Sequence, residues 1–193
     1  MSEPARRADV RVGSATDGLT PISVAERRLG AGWSQWIALA AVALAAVGAD
    51  QLTKAIVSSQ LALNDSVHVV GPFSLRHVQN SGIAFGLFAS ATFFVILLTA
   101  GAVAWMLYFF ARSGSRHPIL PVALGLVIGG SVSNLIDRVR LGHVTDFLDF
   151  KYWPAFNLAD SFIVVGVAIL LMAVVSDDRK SARPPRVREA TRS

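Results

Sequence analysis

Two aspartates are the residues of this 193-residue sequence whose type and spacing best suit chemistry. Asp146 stands in Val144-Thr145-Asp146-Phe147, between apolar neighbours and without a basic residue at helical spacing to account for it. Asp160 follows fourteen positions later in Asn157-Leu158-Ala159-Asp160, with Pro154 in between. So short a connection can return the chain until the two carboxylates face each other at the mouths of adjacent helices. Two carboxylates sharing a site do not both ionise readily, so one keeps a proton and the pair becomes an acid and a base together. Such a pair can activate water against a peptide carbonyl; it can equally serve as a proton relay. For Asp160 a structural role fits as well. Asn is a favoured N-cap, and an acid three positions on completes a capping-box-like pattern that suits the helix dipole.

Other polar residues gather around these two. Asp50 and Lys54 bracket Asp50-Gln51-Leu52-Thr53-Lys54, and Asn80 opens Asn80-Ser81-Gly82-Ile83-Ala84-Phe85. Asn134, Asp137 and Arg138 stand at i, i+3 and i+4 and so share a helix face. An internal ion pair between Asp137 and Arg138 explains both without catalysis. Gly125, Gly129 and Ser133 form a small-xxx-small ridge suited to close helix packing. Neither a metal nor another cofactor is expected. His68, His77, His117 and His143 show no ligand spacing and read as surface or interface residues. Gly129-Gly130 lacks the Lys-Ser/Thr of a phosphate loop, and the absence of cysteine excludes disulfides, thiolate metal sites and a cysteine nucleophile.

The elements that must hold these groups are membrane helices. Charged residues make up only 16% of the chain, against about 25% in a soluble domain, and mean hydropathy is +0.51. Four charge-poor stretches, between Arg28 and Asp50, about Leu87 to Phe110, His117 to Ile136 and about Phe156 to Ser176, each approach the ~20 residues that cross a bilayer. Span one is too long, and too far from the N-terminus, for a cleavable signal peptide. The expected fold is an all-α polytopic membrane protein of four transmembrane helices over 33–176. Disordered polar tails flank it at 1–32 and 177–193, the second basic. Between helices 1 and 2, residues 67–78 read as two short strands around Gly71-Pro72.

Thirteen of the eighteen Lys and Arg fall in the two tails and the Arg112–Arg116 loop. The positive-inside rule therefore puts both termini in the cytoplasm and the loops near 51–82 and 137–157 outside. Every strongly polar group near a span then sits at the outer end. That describes a site at one interface rather than a channel, which would need polar lining throughout its depth. A proton-coupled transporter and a non-catalytic membrane assembly protein are the competing classes. The basic tails suit anionic phospholipid, with no nucleic acid expected.

Taken in order, the Asp50–Lys54, Asn80–Phe85, Gly129–Arg138, Val144–Phe147 and Phe156–Asp160 motifs resemble the bacterial lipoprotein signal peptidases, signal peptidase II, over about residues 36–176. The resemblance implies an intramembrane aspartic endopeptidase of the bacterial cytoplasmic membrane. It would cleave prolipoproteins already carrying diacylglycerol, on the amino side of the lipidated cysteine. The family's catalytic aspartates match Asp146 and Asp160. Asp50, Lys54, Asn80, Gly82, Ala84, Asn134, Asp137, Arg138, Asn157 and Ala159 match positions that line or support its site. Ser133 and Ile136 fall where the family varies. The resemblance also implies an extracytoplasmic β-cradle in the first outer loop and inhibition by cyclic peptides of the globomycin type.

Overall fold

Among the described residues four helices form where the apolar runs lie: α1 (Trp33–Gln60), α2 (Ala91–Ser113), α3 (Leu120–Leu141) and α4 (Leu158–Ser181). The structure, a computed structural model, describes residues 31–81, 91–113 and 118–181. Most of both tails, Arg116, His117, Gly82 and Ala84 lie outside the described residues. Each helix carries a stretch long and apolar enough to cross a membrane. Leu97, Leu98 and Trp105 of α2 and Val164 and Leu171 of α4 point their apolar side chains outward, a surface that suits lipid and not water.

Two helices run past the expected ends of their spans. α1 continues through Asp50 and Lys54 to Gln60, and its 28 residues reach about 42 Å at 1.5 Å each. The charges do not end the helix because Lys54 pairs with Asp50 one turn back, at 2.7 Å. α3 likewise runs beyond Asp137 to Leu141, where Gly142 closes it in the left-handed conformation (φ 78°) that glycine adopts without penalty.

Helix α3 is the centre of the bundle: 61% of its apolar stretch is buried, against 6–17% for the other three. Two adjacent glycines make this possible. A Cβ on Gly129 would lie 2.6 Å from the Ala43 carbonyl oxygen of α1, and one on Gly130 would strike the Ala159 carbonyl of α4. The small-residue ridge is therefore a packing surface against α1, with Gly130 extending close approach to α4. Away from the polar groups, Leu39, Phe110, Leu124 and Ile128 form an apolar core. Trp36 meets Phe110 edge to face there, with ring centroids 4.9 Å apart.

The two inter-helix connections at the polar end join in one antiparallel sheet, ordered β1 (Ser66–Val70), β2 (Phe73–Asn80), β3 (Val144–Phe150), β4 (Trp153–Phe156). The strands expected around Gly71-Pro72 are present. The sheet is larger than the β-cradle expected between helices 1 and 2, since β3 and β4 come from the connection between α3 and α4. β3 is buried on both faces over Val144–Phe147, so no alternation marks it in the sequence as a strand.

Candidate active site

Sheet register brings the first polar groups together. Val78 pairs with Asp146 and Asn80 with Val144, so Asn80 and Asp146 are diagonal neighbours on adjacent strands, within side-chain reach. Asn80 Nδ2 donates to Asp146 Oδ2 at 2.8 Å. The β3–β4 hairpin then returns the chain to the start of α4, where Asn157 is fully buried. Asn157 caps that helix: its Oδ1 accepts from the Asp160 N–H at 3.0 Å, and its own N–H donates to Asp160 Oδ2 at 3.3 Å. The remaining end of the same side chain, Nδ2, donates to Asp146 Oδ1 at 2.7 Å. The capping role and the meeting of the two aspartates thus coexist in one residue.

Asp146 is 1% exposed. Burial pushes its carboxyl from the ordinary 3.8 up to about 6; the bonds from Asn80 and Asn157 pull it down, Asp160 pushes it up, and Lys54 pulls it down. Asp160 is half-buried in the first turn of α4. Its Oδ1 accepts from Asn134 Nδ2 at 2.8 Å.

Behind Asn134 lies a buried ionic cluster. Lys54 Nζ contacts Asp50 Oδ2 and Asp137 Oδ2, both at 2.7 Å, and donates to Asn134 Oδ1 at 2.9 Å. Asp50 Oδ1 accepts the Ala159 N–H at 2.9 Å, fixing the start of α4 to α1. Asp137 Oδ2 accepts the Thr145 N–H at 3.2 Å, fixing the residue before Asp146. The expected Asp137–Arg138 ion pair is corrected by this geometry. Successive residues on a helix point about 100° apart, so Asp137 turns inward to Lys54. Arg138, half-buried, reaches the Asn134 carbonyl oxygen at 3.4 Å.

Ten of the expected site residues are therefore described. Nine join one network, namely Asp50, Lys54, Asn80, Asn134, Asp137, Asp146, Asn157, Ala159 and Asp160, with Arg138 at its margin. Two further members were not expected at the site: Gln51, and Ser133, which the sequence placed only in the packing ridge. Gln51 Nε2 donates to Asp137 Oδ1 at 2.7 Å and to Ser133 Oγ at 3.0 Å, and Ser133 Oγ donates to Asp50 Oδ2 at 2.7 Å. A signal was available: 50/51/54 on α1 and 133/134/137 on α3 follow the same i, i+1, i+4 spacing, two matching polar stripes on helices that pack together. Among the histidines, His77 is buried rather than superficial, its Nδ1 donating to the Leu61 carbonyl at 2.9 Å.

The family model described as Signal peptidase (SPase) II matches residues 42–176. The chain is similar to the lipoprotein signal peptidase of Symbiobacterium thermophilum, 44% identical over 144 residues, covering 72% of this chain and 95% of that one. It is also similar to the lipoprotein signal peptidase of Moorella thermoacetica, 39% identical over 145 residues, covering 75% and 97%. A solved bacterial membrane enzyme, determined by the in meso method at 2.3 Å, superposes with a TM-score of 0.70 at 28% identity, covering 80% of this chain and 96% of that one.

Proposed function

The chain belongs to the signal peptidase II family, multi-pass bacterial membrane peptidases that process lipoproteins, and from that premise we propose that it is an intramembrane aspartic endopeptidase. Its substrates are diacylglyceryl-modified prolipoproteins, cut on the amino side of the lipidated cysteine. The observation that carries the reading is Asn157, which ties Asp146 to Asp160 through opposite ends of one buried amide. Burial, which raises the Asp146 carboxyl to about 6, favours it as the holder of the proton that the pair shares. Asp160, in the first turn of α4 and accepting two N–H bonds, is the ionised one, since a helix N-terminus favours negative charge.

The chemistry follows from that division. Asp160 takes a proton from water as the water oxygen adds to the scissile carbonyl carbon, and Asp146 gives its proton to the carbonyl oxygen. One hydroxyl of the resulting diol returns a proton to Asp146 while Asp160 protonates the leaving cysteine nitrogen. The C–N bond breaks, and both aspartates regain their starting states. An apolar groove of roughly 590 Å³ runs beside Asp160, lined by Trp153, Pro154, Phe156, Ser161, Val164 and Val165. Such a groove suits a substrate whose signal segment and acyl chains are lipid-soluble and arrive sideways between helices. Globomycin-type cyclic peptides would compete for the same site.

The cation distribution supports a cytoplasmic-membrane enzyme with both termini inside and its sheet and active site near the outer face. In that arrangement residues 33–176 form the peptidase domain, and the tails at 1–32 and 177–193 meet anionic phospholipid. The deciding experiment is cleavage of a diacylglyceryl-modified precursor by purified wild type, Asp146→Asn, Asp160→Asn and the double variant. Each single change is expected to abolish cleavage, and the double to be scarcely worse, because groups acting as a unit are non-additive. All should still bind the precursor. Substantial turnover in either single variant removes the dyad.

A further inference from the structure

Lys54 is 4% exposed, and its ammonium has three N–H bonds to give. Asp50, Asp137 and Asn134 receive them at 2.7, 2.7 and 2.9 Å, which leaves the group fully engaged and fixed in place. An ammonium donates and never accepts, so the Asn134 atom facing it has to be the amide oxygen. The other end of that amide is then an NH₂, and it faces Asp160 Oδ1 at 2.8 Å. Asn157 is held in the same sense, because its oxygen is taken by the Asp160 N–H.

We infer that Lys54 is a positioning residue for the aspartate pair: by holding the oxygen of Asn134 it compels that amide to donate to Asp160 and bars it from accepting a proton there. An amide turned the other way would present oxygen to Asp160. It would then stabilise a protonated carboxyl on the residue that must take a proton from water. With Asn134 and Asn157 both held as donors, neither amide can shelter the pair's proton, which remains directed to Asp146 and the substrate. Lys54 touches no reacting atom, and its hold on Asp160 runs through Asn134. The inference rests on the dyad reading above.

The charged and titratable groups gathered around Asp160 are Asp50 and Lys54 of α1, Asp137 and Arg138 of α3, and Asp146 of β3. Replacing Lys54 and Asp137 together, as Lys54→Met with Asp137→Asn, removes the clamp while leaving their sum unchanged. The full-length double variant is compared with wild type on a diacylglyceryl-modified precursor peptide across pH. Expected are a KM within threefold of wild type, a kcat lowered at least tenfold, and an acidic limb of kcat/KM moved upward by about one pH unit. A kcat within twofold of wild type with an unmoved pH profile would overturn the inference and leave Lys54 a packing ion. Should the double variant fail to fold, Asn134→Asp decides: it keeps an oxygen on Lys54 and turns another toward Asp160. At least a hundredfold loss of kcat with precursor still bound supports the clamp, and wild-type turnover overturns it. Activity surviving in Asp146→Asn or Asp160→Asn would instead strike the dyad itself, so the two failures are separable.

Discussion

Asn80 and Asn157 each donate to Asp146, and both bonds favour the ionised form, yet burial outweighs them and holds the carboxyl near 6. The sign of the pH dependence follows. Below about 6 Asp146 keeps the proton it must give to the carbonyl oxygen; above it that proton is lost, so kcat/KM is expected to fall as pH rises through this value. Asn80→Ala removes one of the bonds that pull the value down, and should carry the alkaline limb upward by a measurable fraction of a pH unit in the same assay. At α3 the expectation divides two adjacent residues. Asp137→Asn takes one of two carboxylates from the buried Lys54, with Asp50 still paired to it, and replaces a charged acceptor of the Thr145 N–H, so thermal unfolding in detergent is expected at a lower temperature. Arg138→Gln breaks no buried pair and should leave thermal unfolding in detergent almost unmoved. Local spacing in the sequence suggested the nearest cation in the chain, Arg138, as the partner of Asp137. Docking of α1 supplies Lys54 instead, and no spacing within α3 could have disclosed that. The two aspartates and the cap at Asn157 were legible because each lies in an unusual place: an acid among apolar residues, and an N-cap signature opening an apolar run.

At the scale of elements, the helices were legible from charge-free length, while their ends were not. Lone charges at a membrane boundary normally mark where a span stops, but here they neutralise one another inside the bundle and the helices run on. The stretch Val144–Phe147 escaped detection as a strand for a related reason, burial on both faces. Packing yields a sharp test. Gly130→Ala would drive a methyl into the Ala159 carbonyl at the start of α4, an overpacking expected to cost about 1–3 kcal/mol and to displace Asp160, lowering cleavage. Gly101→Ala in α2 meets open space and should gain roughly 0.5–1 kcal/mol from helix propensity alone, with cleavage unchanged. Thermal unfolding and precursor cleavage, measured side by side on the two variants, check both statements.

The whole molecule is polarised along its length, with an apolar aromatic core at one end and the ionic cluster, sheet and aspartates at the other. The orientation proposed from the cation count predicts that a reporter fused after Ser193 is cytoplasmic and one inserted near Asp65 is external; a C-tail cut by protease from the outer face would reverse the assignment. The placement of Lys54 also bears on the order in which the protein is built. Asp50 and Lys54 lie one turn apart on the same helix, so α1 holds this pair of charges matched within itself before α3 is added. Asn134 follows 80 residues later in the chain, and Asp137, just beyond it, brings an acid whose buried counter-ion is already waiting on α1. α1, which precedes α3 in the chain, thus carries the ion against which the centre of the bundle packs, and an α1 that was merely apolar would leave Asp137 of α3 without a buried cation.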